Sequence, residues 1–155
     1  MKNISNRKFM LYFALTLLYA ALIFYLSSQS HLPHTASQME HLMQRILSII
    51  GTHYFFIFKF ITIHIDKLEH FVIYFIFGFL IRITLSHSEN PSVQQNVILL
   101  TMIIGVGYGA LDEVHQMFVP GRSPSIYDLF ADAAGMAFSQ IFIALGIYLH
   151  KSWHR

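Results

Sequence analysis

Eighteen consecutive residues, Phe9 to Leu26, carry no charge. That run limits the folds open to the chain more than any other feature. At 1.5 Å rise per residue a helix needs about 20 residues to cross a hydrocarbon layer of ~30 Å. A charge-free helix of this length exposed to water would leave most of its surface apolar and uncovered. Lys2, Arg7 and Lys8 precede the run, as they would in a secretion signal. No small-residue cleavage site follows it, so it reads as a retained span.

Three further stretches have the same character. Leu68 to Leu85 is broken only by Glu69 and His70 at its start and Arg82 near its end; another stretch covers about residues 96–114, with Val97–Leu111 as its uncharged centre. The last, about residues 126–149, opens with Asp128 and Asp132 in its first turns. Composition supports the same reading: 55% of residues are hydrophobic and only 12% charged, against about 25% charged in soluble domains. A chain of 155 residues cannot hide the surplus in a core of its own. The expected fold class is an all-α membrane protein, with about four transmembrane helices in a single domain over 1–155.

The connection between spans one and two is less regular. Met39, Leu42, Met43, Ile46, Leu47 and Ile50 recur at helical spacing opposite Gln38, Glu40, His41, Gln44 and Arg45. This pattern suits an amphipathic helix lying on the membrane surface. The aromatic run Tyr54–Phe60, interrupted by Lys59, reads as interfacial or re-entrant, so the interfacial segment covers about residues 36–65. A fifth span here would invert everything after it and put Arg82, Lys151 and Arg155 outside, against the positive-inside rule. With four spans, the N- and C-termini are cytoplasmic.

The chain has no cysteine, which excludes disulfides and Cys-based metal clusters. A net charge of +2 offers no basic stripe for nucleic acid. Gly105-x-x-x-Gly109 and Ala131-x-x-x-Gly135-x-x-x-Ser139 place small residues at the spacing of close helix contacts.

The acidic residues carry the functional signal. Six of the eight, Asp66, Glu69, Asp112, Glu113, Asp128 and Asp132, fall at the outer ends of three spans. Ionisable groups within a bilayer are expensive, about 2.5–3.5 kcal/mol at a helix centre, so their gathering at one level implies use. Asp66 and His70 are i,i+4, with Tyr74 one turn deeper; Asp112 shares a face with His115 and Gln116; Asp128 and Asp132 share a third. Arg122 stands on the Val119-Pro120-Gly121-Arg122 turn above them, with a guanidinium suited to phosphate or carboxylate. Helix capping is the plainer account of Asp66-x-x-Glu69 and Ser125-x-x-Asp128. It suits Asp112, Glu113 and His115 poorly, because negative charge is disfavoured at a helix C-terminus. Asp132 needs a cationic partner, for which Arg122 or Lys67 would serve. A metal ion would draw on Asp112, His115, His70 and Asp66 or Asp132. The two-histidine zinc motif is absent, and neither a metal nor a cofactor is assigned.

Four ordered blocks resemble the VanZ-like family of small bacterial multi-pass membrane proteins. They are Ser27-Ser28-Gln29-Ser30, then Asp66-Lys67-x-x-His70-Phe71-x-x-Tyr74, then Tyr108-Gly109-x-x-Asp112-Glu113-x-His115-Gln116. The fourth is Pro120-Gly121-Arg122-Ser123-x-Ser125-x-x-Asp128-x-x-x-Asp132-x-x-Gly135. The long connection between the first two blocks departs from the pattern, and Asp132 stands where such sequences often carry Asn. The resemblance implies a place in the bacterial cytoplasmic membrane, a role in the cell envelope, and a link to low-level teicoplanin-type glycopeptide resistance. It does not imply a particular reaction.

Three readings follow. In the first, an enzyme acts on an envelope lipid or lipid-linked glycan at the outer leaflet. His70 or His115 is the acid/base, Asp66 or Asp112 orients it, and Glu113 lies beside them. Lys67, Tyr74, Gln116, Arg122, Asp128, Asp132 and Ser28 hold the ligand, Arg122 and Lys67 by a phosphate. In the second, a non-catalytic binder masks an envelope component through Arg122 and the Ser27–Ser30 loop. In the third, a transporter or flippase subunit uses the charges as a path. Four spans are few for a path unless copies assemble, so a homo-oligomer is kept as a partner beside the membrane lipid.

Overall fold

The computed structural model describes residues 2–29, 45 and 53–154, and the side chains within 6–29, 45 and 66–154. Five helices account for nearly all of them: α1 (Lys2–Ser27), α2 (His53–Ser86), α3 (Pro91–Gln95), α4 (Val97–Gln116) and α5 (Ile126–Trp153). No strand occurs among the described residues. Four of the helices contain stretches long and apolar enough to cross a membrane: Asn6–Ser27, Asp66–Ser86, Val97–Gln116 and Ile126–Trp153. The chain is a multi-pass membrane protein.

The interior is more polar than the surface, as a lipid solvent allows. Leu18, Leu111, Phe130 and Ile141 are each more than 60% exposed, whereas Thr101, Asp132 and Ser139 are fully buried. Helix α2 is the central post. It packs against α1, α4 and α5, most extensively against α5. The apolar core is a column of Ile23, Tyr74, Phe77, Ile81 and Met136.

Small residues let the helices approach, as the sequence spacing suggests. A methyl group at Gly135 would overlap the Phe71 carbonyl oxygen and lie 2.9 Å from the Phe75 nitrogen, so α5 rests directly on the α2 backbone. Gly105 makes room for Met136, and Gly109 for Asp132 and Tyr74. Gly107 faces open space. Polar bridges supply the rest: Thr16 with Thr84 at 2.9 Å, Tyr108 Oη donating to the Ala20 carbonyl at 2.6 Å, and Arg82 donating to Gln140 at 3.0 Å.

Two expectations are revised. The aromatic segment is not a separate element. Residues 53–65 are helical and continue without a break into span two, so the reversal that a re-entrant segment needs is missing. The resulting 34-residue helix is about 51 Å long. Residues 36–50, read as the amphipathic surface helix, lie outside the described residues except for Arg45. Asp66 is consequently inside a helix rather than at its start, and cannot be an N-cap. The short helix α3 was also not expected. Its signals are local: Pro91 at the first position, and Asn90 accepting a bond from the Ser92 N–H at 2.9 Å.

Candidate functional site

Helices α1 and α4 end, α5 begins, and α2 passes Asp66 to Tyr74 at the same end of the bundle. Alternating chain direction brings those segments together. Two adjoining features result.

The first is a cavity of about 40 Å³ between α1, α2 and α4, room for roughly two or three waters. Its polar lining is Ser27, Asp66, Glu69, His70, Tyr74, Asp112, Gln116 and Arg122; Ile23, Leu26 and Ile73 complete it. Gln116 donates to Asp112 at 3.3 Å, one turn back on α4. Tyr74 is only 1% exposed, yet its hydroxyl has no hydrogen-bond partner, and neither has the buried Ser27 hydroxyl. A buried hydroxyl without a partner costs about 1–3 kcal/mol. Both hydroxyls belong to residues of one cavity wall.

The second is an ionic cluster joining α2 to α5. Lys67 donates to Asp66 at 2.8 Å and also to Asp128. His70 Nδ1 pairs with Asp132 Oδ1 at 2.9 Å, and His70 Nε2 lies 4.0 Å from Asp128 Oδ2. Asp132 is fully buried, and its Oδ2 has no partner. His70 belongs to both features: it lines the cavity and anchors the cluster.

Glu113 joins α4 to this cluster in an unexpected way. In an ordinary capping box, the third residue of the helix reaches back to the N-cap amide. Here Ser125 occupies the N-cap position but makes no side-chain cap bond. Its third residue, Asp128, is turned to Lys67 instead. Glu113 Oε2, arriving from α4, accepts the Ser125 N–H at 2.6 Å. One carboxylate has taken over another's capping duty and freed it for the cluster.

Other anticipated partnerships differ as well. Asp132 pairs with His70, not with Arg122 or Lys67. Arg122 donates to the carbonyls of Gln29 (3.2 Å) and Leu26 (3.3 Å), tying the α4–α5 loop to the end of α1. His115 faces α1, where Nε2 bonds Ser28 Oγ at 2.9 Å and the ring lies 4.4 Å from Phe24. It is not among the cavity-lining residues, and neither is Ser28. Glu69 and Ser27 line the cavity as well, although the sequence marks Glu69 only as part of the acidic group and Ser27 only as part of the Ser27–Ser30 loop. Both could have been found from the sequence, Glu69 beside Asp66 and His70, Ser27 at the head of the Ser-Ser-Gln-Ser block. The residues brought within metal-ligand range are His70, Glu113 and Asp128, rather than the set built around Asp112 and His115.

Residues 10–150, nearly the whole chain, match the family model described as VanZ/LLP1. The chain belongs to the VanZ/LLP1 family. No curated protein and no solved structure matches it. For this VanZ/LLP1 member, then, the arrangement of the site rests on the geometry above.

Proposed function

We propose that this VanZ/LLP1 protein binds a lipid-linked envelope glycan at the outer face of the bacterial cytoplasmic membrane, with one or two sugar hydroxyls of the headgroup entering the cavity. The carrying observation is the cavity wall, where the Tyr74 and Ser27 hydroxyls lack partners beside the carboxylates of Asp66, Glu69 and Asp112. Carboxylates and amides accept hydrogen bonds from sugar hydroxyls, and the two free hydroxyls can donate or accept. A phosphate is poorly matched. The cations that would hold it are occupied, Lys67 by two carboxylates and Arg122 by backbone carbonyls. We read the orientation from Lys2, Arg7, Lys8, Lys151 and Arg155, which support cytoplasmic termini by the positive-inside rule.

Binding is favoured over acid–base catalysis by the imidazoles. His115 faces Ser28 on α1 rather than the cavity, and the free nitrogen of His70, Nε2, is turned towards Asp128 Oδ2 at 4.0 Å. Occupying or sequestering a cell-wall precursor would also account for the family link to glycopeptide resistance, since such drugs compete for the same precursors.

The test is native mass spectrometry of the protein in nanodiscs supplied with a lipid-linked glycan precursor or with its undecaprenyl phosphate carrier alone. We expect retention of the glycan-bearing lipid and at least tenfold weaker retention by Tyr74→Phe combined with Asp112→Asn. Equal retention of the bare carrier, or no loss in the double variant, would refute the reading.

A further inference from the structure

We infer that His70, Glu113 and Asp128 form a site for a divalent transition-metal ion of the zinc or manganese type, with Asp132 as the residue that positions the imidazole. The three ligands come from three helices, α2, α4 and α5. Their donor atoms lie within 4.8 Å of one another.

Each residue has one committed atom and one spare. His70 Nδ1 is held by Asp132 at 2.9 Å, so Nε2 is the nitrogen left over. A carboxylate on the far nitrogen is the usual outer partner of a metal-bound histidine, fixing both tautomer and ring angle. Glu113 Oε2 is committed to the Ser125 N–H, and Oε1 is buried with no partner. Asp128 gives one oxygen to Lys67 and turns the other, Oδ2, towards His70 Nε2. That last separation is 4.0 Å, too long for a hydrogen bond. Ligands held at about 2.0–2.2 Å from one ion stand roughly 3–4 Å apart, so a slight contraction would close the ring.

Charge points the same way. Glu113, Asp128 and Asp132 are each under 10% exposed. Among the described residues, Lys67 is the side-chain ammonium seated on this cluster, and it is shared with Asp66. Buried carboxylates without compensation cost several kcal/mol each. A 2+ ion supplies the missing positive charge and coordinates the orphaned Glu113 oxygen in one step. One nitrogen with two carboxylate oxygens suits zinc or manganese, whereas calcium and magnesium favour oxygen alone.

The inference does not depend on the glycan reading, because it is tested without lipid substrate. The full-length protein, purified in detergent and stripped with a chelator, is titrated with Zn²⁺ or Mn²⁺ and its bound metal counted by elemental analysis. The exposed His150–His154 pair, with rings 4.6 Å apart, is a separate place where zinc could collect. His150→Ala/His154→Ala therefore serves as the background. On it we expect one ion per chain, lost in Glu113→Gln and held at least tenfold more weakly in Asp132→Asn. Cobalt substitution adds a spectroscopic signature, with visible bands that Asp132→Asn shifts if the imidazole is a ligand. Stoichiometry unchanged in Glu113→Gln, or no ion retained on the background, would overturn the site. Should Glu113→Gln not fold, cobalt bands insensitive to Asp132→Asn do so alone.

Discussion

Replacing Gly135 by alanine should break the site without touching any of its polar groups. The added methyl would overlap the Phe71 carbonyl oxygen and come within 2.9 Å of the Phe75 nitrogen, both main-chain atoms of α2 that cannot rotate away. Ordinary contact begins near 3.4 Å, so the two helices must separate by on the order of 1 Å. Phe71 adjoins His70, and Gly135 lies three residues from Asp132. The same displacement therefore stretches the 2.9 Å His70–Asp132 bond past useful length. Overpacking costs about 1–3 kcal/mol and loss of a charge-assisted bond about 1.5–3, together roughly 2.5–6 kcal/mol. The assay is equilibrium unfolding in mixed micelles, alongside His70 ring ¹⁵N shifts that report whether Nδ1 keeps its partner. Gly107→Ala is the control, because a methyl there meets nothing within 4 Å. If Gly135→Ala were as stable as Gly107→Ala, or kept the His70 signature, direct backbone contact between α2 and α5 would be wrong.

Other perturbations discriminate in different directions. Tyr74→Phe removes a buried hydroxyl that lacks a partner, so it should leave the ligand-free protein unchanged or up to about 1 kcal/mol more stable in the same unfolding assay, while weakening glycan retention. Lys67→Met leaves Asp66 and Asp128 without their shared cation; because Lys67 is 29% exposed, the expected loss in that assay is roughly 1–3 kcal/mol, below that for a fully buried pair. Since the natural chain has no cysteine, single introductions report topology cleanly. An impermeant maleimide on whole cells should label Ser123→Cys beside the site and spare Ser92→Cys at the other end. Gly105→Ala should cost less than Gly135→Ala in the unfolding assay, because its obstacle is the flexible Met136 side chain rather than backbone.

The four spans could be read from the sequence because their signal is local. About twenty apolar residues in a row need a bilayer whatever their neighbours do. The i,i+4 pairs were legible for the same reason, since helical periodicity alone puts Asp66 with His70 and Asp128 with Asp132. What the sequence left open was how each helix is rotated about its axis. That rotation decides that Asp132 meets His70, that Arg122 caps the end of α1, and that His115 turns to Ser28. The substitution of Glu113 for Asp128 at the Ser125 amide was beyond any local rule, because donor and acceptor are on different helices. The start of α2 was misjudged because Asp66-x-x-Glu69 imitates a cap while the aromatic run before it resembles an interface.

That unbroken start to α2 has a chemical corollary. A helix interior has already committed each amide hydrogen to the carbonyl four residues earlier, so Asp66, Lys67 and His70 stand on a backbone with nothing left to offer a ligand. The anion-attracting potential of a helix beginning is correspondingly absent there. A ligand bound here as proposed would meet side chains alone on this wall. Swapping one functional group for another at those positions thus edits the chemistry directly, and the main chain cannot compensate for what is removed.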